Sequence, residues 1–292
     1  MSAGLRSCQL WWLNGNGLKA RHFTLYRLMV PDPILNARST GQSETGRVRA
    51  SNQDAILIDE VARLWLVADG MGGHAGGAEA SWLARSTIRA AIGAGASMRS
   101  AILAAHYAIR AGQSANPELS DMGTTVVVLH ELDETYEIGW VGDSRAYLFD
   151  TETCRLRLLT RDHNLAGLLV ESGALSQSEA ASHPKRHVLT DCLGLHGDHE
   201  PRIDRITDSW SAGHLLLLCS DGLSGELADA QISQVLATKG SLDDMANELM
   251  SRAMVAGARD NISLVLIRSP LGGAGAEGGS VWRRWLGRVR RD

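Results

Sequence analysis

The chain has 292 residues, of which 44% are apolar and 21% charged, with a formal net charge of −4, enough for one large domain or two small ones around a sizeable core. That balance gives no sign of a nucleic-acid partner, although the charge is uneven: residues 281–292 carry five arginines and one aspartate, +4, so the remainder carries −8. No apolar run reaches the roughly 18 residues of a spanning helix, and Cys8, Cys154, Cys192 and Cys219 fall in no C-x-x-C spacing, which excludes a disulfide framework and a zinc site and fits a reducing cytoplasm.

Residues 1–22, rich in Gly, Asn and Trp, follow no period and read as a poorly ordered extension; the apolar run at 10–13 is too short for a signal peptide. A short strand is expected at 23–28, and the Pro, Ser, Thr and Gly of 31–47 read as loop. Strands at 55–58 and 64–68 flank a turn at Asp59-Glu60, a hairpin whose antiparallel pairing brings Asp54 and Asp69 together. The second strand runs into Asp69-Gly70-Met71-Gly72-Gly73-His74-Ala75-Gly76-Gly77, with five glycines between Gly70 and Gly77. Such a loop lets the backbone come close to a ligand. It suits a phosphate cradled by N–H groups, or a hard cation held by Asp69 and a backbone carbonyl. The lysine that a phosphate-binding G-x-x-x-x-G-K-[ST] loop requires is missing.

Helical spacing follows over 78–94 and 97–113, the second helix stopped by Asn116-Pro117. Strands are expected at 126–130, 136–142, 146–149 and 156–159, and helices at 165–172 and 176–182 within the polar stretch 160–200. A buried strand at 215–219, helices at 228–238 and 242–256, and a last strand at 262–267 complete an α+β pattern with antiparallel sheets. Residues 270–280 are a glycine-rich linker. Beyond it Trp282, Trp285, Leu286 and Val289 fall at i, i+3, i+4 and i+7 among arginines, a basic amphipathic tail suited to anionic lipid or a partner. A helix this short is marginal in water, so a solvated disordered end reads equally well.

Five aspartates stand at or near ends of apolar strands: Asp54, Asp69, Asp143, Asp221 and Asp260. Singly, an aspartate beside glycine is ordinarily a turn residue, Arg49 a surface cation and His74 a loop histidine. If the five strands share one end of a sandwich, their charges converge and demand cations. Oxygen-only ligands select Mg²⁺ or Mn²⁺, and a pair of such ions about 3.5–4 Å apart clamps a phosphoryl oxygen. Arg49, three residues before Asn52, is placed to grip a phosphate as a bidentate fork.

In order, Gly46-Arg47-Val48-Arg49-Ala50-Ser51-Asn52-Gln53-Asp54, the stretch 67–77, Gly123-Thr124-Thr125, Val141-Gly142-Asp143-Ser144-Arg145-Ala146-Tyr147, Leu159-Thr160-Arg161-Asp162-His163-Asn164, Ser220-Asp221-Gly222-Leu223 and Asp260-Asn261-Ile262-Ser263 resemble the bacterial form of the PPM-type (protein phosphatase 2C) metal-dependent Ser/Thr phosphatases. Together they cover about 38–268. The resemblance implies two stacked antiparallel β-sheets flanked by helices, an α-β-β-α sandwich, over a phosphatase domain at 23–269 with a flap at about 165–205. It implies two Mn²⁺ or Mg²⁺ ions. Asp69 would bridge them, Gly70 would offer its carbonyl to one, and Asp221 and Asp260 would hold the other. Asp54 would act through a water, Asp143 with Asp221 would hold a third, weaker ion, and Arg49 would bind the substrate phosphate. Met71 stands where animal members carry a proposed general-acid histidine, and His74 does not inherit that role.

The resemblance further implies attack on phosphoserine or phosphothreonine by a metal-activated hydroxide, reversing a bacterial Ser/Thr kinase, by a cytoplasmic monomer. No Cys-x5-Arg nucleophile is present. A non-catalytic phosphoprotein-binding regulator, which loss of a metal aspartate would favour, and a phosphoesterase for small esters are the other readings.

Overall fold

The computed structural model describes residues 38–73, 76–176, 179–180, 183–197 and 199–271. The chain divides into two units between Ala37 and Arg38, and the described residues all belong to the second. The expected strand at 23–28, the extension at 1–22, His74, most of the glycine linker and the basic tail at 281–292 lie outside them.

Two antiparallel sheets form the centre. Sheet I has the order β2 (Asp54–Asp59), β3 (Leu64–Met71), β5 (Val126–Leu132), β6 (Thr135–Val141), β9 (Asp204–Ser209), with β4 (Gly123–Thr124) also paired to β3. Sheet II has the order β1 (Ser39–Glu44), β11 (Ile262–Arg268), β10 (His214–Cys219), β7 (Arg145–Asp150), β8 (Arg155–Leu158). The helices are α1 (Gly76–Gly93), α2 (Met98–Ala115), α3 (Leu165–Glu171), α4 (Asp221–Ser224), α5 (Asp229–Leu236) and α6 (Leu242–Ala256).

Strand alternation explains the layering. In β3, Leu64, Leu66 and Ala68 pack with Ile88 of α1 and Ile102 and Ile109 of α2, whereas Trp65 and Val67 belong to the core between the sheets. In β10, Leu215, Leu217 and Cys219 pack with Ile232 and Leu249 of α5 and α6, while Leu216 and Leu218 meet the other sheet. A strand buried on both faces reads as an unbroken apolar run, and its period of two sorts the side chains between two cores. The result is the expected α-β-β-α sandwich.

Helix starts follow from local chemistry. Ser97 Oγ accepts from Ser100 N at 3.2 Å ahead of α2, Asn164 Oδ1 accepts from Gly167 N at 2.8 Å ahead of α3, and Ser241 and Asp244 cap α6 reciprocally.

Two expectations are corrected. Part of the stretch read as loop at 31–47 is the strand β1, whose polar residues show no apolar alternation and which exists through its ladder with β11, Ser39↔Ile267 to Glu44↔Ile262. The strand β9 was absent from the sequence reading; it is an edge strand alternating half-buried and exposed, with Ile206 its one apolar residue. The helix expected at 176–182 falls largely outside the described residues.

Candidate metal centre and phosphate site

The five strand-end aspartates come from both sheets and meet at one end of the sandwich. Asp54 opens β2 directly opposite Asp69 in β3, so the expected hairpin is present in that register. Asp143 lies two residues beyond β6, Asp221 two beyond β10, and Asp260 two before β11. Since β10 and β11 pair antiparallel from Cys219↔Leu264, Asp221 and Asp260 emerge side by side.

Hydroxyls stitch the cluster together. Ser220 donates its Oγ to Asp54 Oδ2 at 2.9 Å and accepts from Ser263 N at 3.0 Å, which ties the two sheets at the site. Thr124 Oγ1 donates to the Asp69 carbonyl at 2.9 Å, Asp69 N donates to Thr125 Oγ1 at 3.3 Å, and Thr125 Oγ1 lies 2.7 Å from Ser144 Oγ beside Asp143. Asn261, 4% exposed, donates its Nδ2 to the Thr45 and Ser51 carbonyls, each at 2.9 Å, and accepts from Gln53 N at 2.8 Å.

The electrostatics ask for cations. Burial, then the neighbouring Asp54, Asp221, Asp143 and Asp260, holds Asp69 well above the usual carboxylate range. Burial, then Asp221 and Asp162, does the same to Asp143. Burial pushes Asp54 up to about 6, with Asp221 and Asp260 adding to the shift against the hydroxyls of Ser263 and Ser220. Asp54 Oδ1 is buried with no hydrogen-bond partner among the described residues. Clustered carboxylates of this kind, one with an orphaned oxygen, fit hard divalent ions held by oxygen alone.

Three of the five are engaged elsewhere. Asp260 Oδ2 accepts from Arg49 Nη2 at 2.6 Å, Asp221 Oδ2 lies 3.6 Å from His187 Nδ1, and Asp54 takes the Ser220 hydroxyl. Accordingly, no three His, Cys, Asp or Glu side chains among the described residues stand in a ready ligand set. Arg49, expected at the phosphate, is paired with Asp260. Gly70 is buried in β3, and a Cβ there would lie 2.1 Å from the Gly77 carbonyl oxygen and 2.5 Å from that of Gln53, so only glycine allows the strand end to pack against the glycine loop.

Beside Asp143 and Asp221 opens a cavity of about 960 Å³, bounded by Trp140, Arg145, Asp162, Val170, Arg186 and Asp204. Its flap side is well anchored. Arg145 holds Asp162 bidentately at 3.0 and 2.7 Å, and Asn164 and Thr190 are tied back through an Asn164↔Leu189 bridge and a Thr190 N to His163 O bond of 2.9 Å. Buried His163 accepts from Gly142 N at 3.2 Å, just before Asp143, and its Nε2 lies 3.3 Å from Asp204. The sequence reading assigned no role to Ser220, Asn261, His163 or His187. Ser220, His163 and Asn261 do sit inside the motifs that carried the resemblance.

Two stacked sheets with aspartates from both gathered at one end make a centre suited to hard divalent cations. The family model described as protein phosphatase 2C matches residues 42–266. The chain is 31% identical over 243 residues to the serine/threonine phosphatase stp of Listeria welshimeri, spanning 79% of this chain and 95% of that one. It is 34% identical over 236 residues to the serine/threonine protein phosphatase PstP of Mycobacterium tuberculosis, which covers 78% of this chain and 44% of that longer protein. The crystal structure of M. tuberculosis PstP/Ppp superposes with a TM-score of 0.72 at 31% identity, covering 80% of this chain and 98% of that one. The catalytic domain of PstP in complex with two manganese ions gives a TM-score of 0.68 at 31% identity, over 78% and 96% of the two chains. The chain belongs to the protein phosphatase 2C family, in its bacterial form, and is a metal-dependent protein serine/threonine phosphatase.

Proposed function

We propose that this phosphatase hydrolyses phosphoserine and phosphothreonine at a dinuclear Mn²⁺ or Mg²⁺ centre held by Asp69, the Gly70 carbonyl, Asp221 and Asp260. Asp54 acts through a water, and Asp143 with Asp221 takes a third, weaker ion. The observation that carries this is the meeting of five strand-end aspartates, three of them held above the carboxylate range. When bound, the metals activate a water for in-line attack and neutralise charge on the phosphoryl oxygens.

The chain's own residues do the rest. Asp69 and Asp54, opposite one another in the β2–β3 register, fix the carboxylate spacing. Arg49 orients the phosphate through its planar fork. Asp260, one of the residues that would hold a metal, now gives its Oδ2 to Arg49 at 2.6 Å, and release of that contact would leave the guanidinium fork to the substrate phosphate. Neither buried cysteine serves as nucleophile: burial pushes the Cys192 thiol up to about 11 and the Cys219 thiol up to about 12, so neither is a thiolate at neutral pH.

The substrates are phosphoproteins, and we infer that they are products of a cognate bacterial Ser/Thr kinase, met by a monomeric enzyme in the cytoplasm. Cys154, Cys192 and Cys219 are all free, which supports a reducing compartment. The tail at 281–292 is proposed as a peripheral membrane or partner contact, to be tested by vesicle flotation with and without it. For the chemistry the test is phosphate release from a phosphothreonine peptide, in Mn²⁺ and then in EDTA. Release that depends on the metal is expected; equal release in EDTA would remove the metal centre from the mechanism.

A further inference from the structure

We infer that Asn261 is the positioning residue of the phosphate grip: it staples both ends of the loop that carries Arg49, and so sets where the guanidinium stands. The inference rests on the reading of Arg49 as the phosphate-binding residue.

Residues 45–53, between β1 and β2, contain no helix or strand. A loop of that kind has many conformations, and a long arginine at its apex has more. Arg49 is the fifth residue of the nine, its side chain 53% exposed. What holds the loop is therefore what determines the arginine's position. Asn261 spends both Nδ2 hydrogens on the loop, one on the Thr45 carbonyl at the entry and one on the Ser51 carbonyl at the exit, each at 2.9 Å. Its Oδ1 accepts from Gln53 N at 2.8 Å, one residue before Asp54. One side chain thus closes the loop at its base, using both of its donors and its carbonyl oxygen to do so.

The surroundings fix the staple itself. Asn261 is 4% exposed and stands immediately before β11, whose ladder begins at Ile262. Its carbonyl oxygen is pressed against Gly222, where a Cβ would stand 1.9 Å away. Gly46, at φ +78°, lies against the Asp260 carbonyl with no room for a side chain, and Arg47 N donates to the Ala258 carbonyl at 2.8 Å. The loop is seated on 258–261 along its first half and stapled at both ends, so Arg49 is presented on a preorganised frame beside Asp260. Preorganisation of this kind is realised as tighter binding of the group gripped, because the ordering cost is met during folding.

The test compares Asn261→Ala, Arg49→Ala and the double variant, all in saturating Mn²⁺. Read out are KM and kcat on a phosphothreonine peptide, the inhibition constant of inorganic phosphate, and Mn²⁺ affinity by calorimetry. In Asn261→Ala, KM and the phosphate inhibition constant are expected to rise together by about tenfold, the value of one or two lost hydrogen bonds. Mn²⁺ affinity should not weaken, and the double variant should be no worse than Arg49→Ala alone, because the staple acts only through the arginine.

Multiplied effects in the double variant, or a Mn²⁺ affinity that falls as far as KM rises, would overturn the inference and make Asn261 a support of Asp260. An unchanged phosphate inhibition constant in Asn261→Ala, with that of Arg49→Ala raised, would overturn it while leaving the Arg49 reading intact. An unchanged constant in Arg49→Ala would overturn that reading and this inference with it. Should Asn261→Ala fail to fold, Asn261→Ser, which keeps a hydroxyl at the site, serves in the same comparison.

Discussion

At the scale of single residues, the site is a contest for carboxylate oxygens. Asp69 is central: its carbonyl receives Thr124 Oγ1 and Thr125 N, both at 2.9 Å, so its backbone is immobile while its carboxylate is left to the cluster. Asp69→Ala is expected to lower metal-dependent phosphate release by at least about 10²-fold, and turnover close to wild type would take Asp69 out of the centre. Arg49 competes in the other direction. Its hydrogen bond to Asp260, with the fields of Asp69 and Asp221 behind it, shows a side chain acting as the resident cation. Arg49→Ala should therefore bind Mn²⁺ a few-fold more tightly by calorimetry while its KM for phosphopeptide rises; the ion pair is half exposed, which keeps the gain modest. Weaker Mn²⁺ binding would contradict the contest. The aspartates were legible in the sequence because each stands at or near the end of an apolar strand, three of them beside glycine. Ser220 and Asn261 were not, because a hydrogen-bonding side chain does not declare its partner, and those partners lie 166 and 216 residues away in Asp54 and Thr45.

Elements set the geometry within which those residues compete, and they were unevenly legible. The runs 64–68, 126–129 and 215–219 are buried on both faces, and their hydrophobicity alone marks them as strands. The strands β1 and β9 lie at sheet edges and are built from polar residues, so their strand character comes from the neighbour they pair with and leaves little trace in their own sequence. The turn that delivers Asp221 is a sharper case. There β10 passes straight into the short helix α4, and the close approach of Gly222 to the Asn261 carbonyl locks the two aspartate-bearing ends, 220–222 and 260–262, against each other. A methyl at Gly222 meets backbone, which cannot yield as a side chain can. Gly222→Ala is expected to cost on the order of 2–4 kcal/mol of stability in denaturant titration and to lower Mn²⁺ affinity with it. A variant as stable as the parent would show that the two ends can part without consequence.

For the whole molecule, the gathering of charge that makes the centre also works against the fold. Unfolded, an aspartate titrates near a pKa of about 3.9; folded and metal-free, Asp54 is raised to about 6, and Asp69 and Asp143 are raised well above the carboxylate range. At these three positions the folded state thus binds more protons than the unfolded state from roughly pH 4 upward. Their contribution to metal-free stability falls as pH rises from about 4 through the folded pKa of Asp54 near 6, and continues to fall while Asp69 and Asp143 retain protons that the unfolded chain has lost. Acid groups stabilised as carboxylates behave oppositely, so the sign is diagnostic of an unoccupied acid cluster. In EDTA, the urea midpoint, taken relative to that of Asp54→Asn so that the other titrating groups cancel, is expected to be lower at pH 7.5 than at pH 5. Added Mn²⁺ should restore it at pH 7.5, by about 2.7 kcal/mol at a hundredfold excess over Kd, and should do far less at pH 5, where protons compete for the same oxygens. A metal-free midpoint that, relative to Asp54→Asn, rises with pH would mean that the carboxylates of the two sheets do not repel one another in solution, and the shared end of the sandwich would lose its physical claim on a pair of cations.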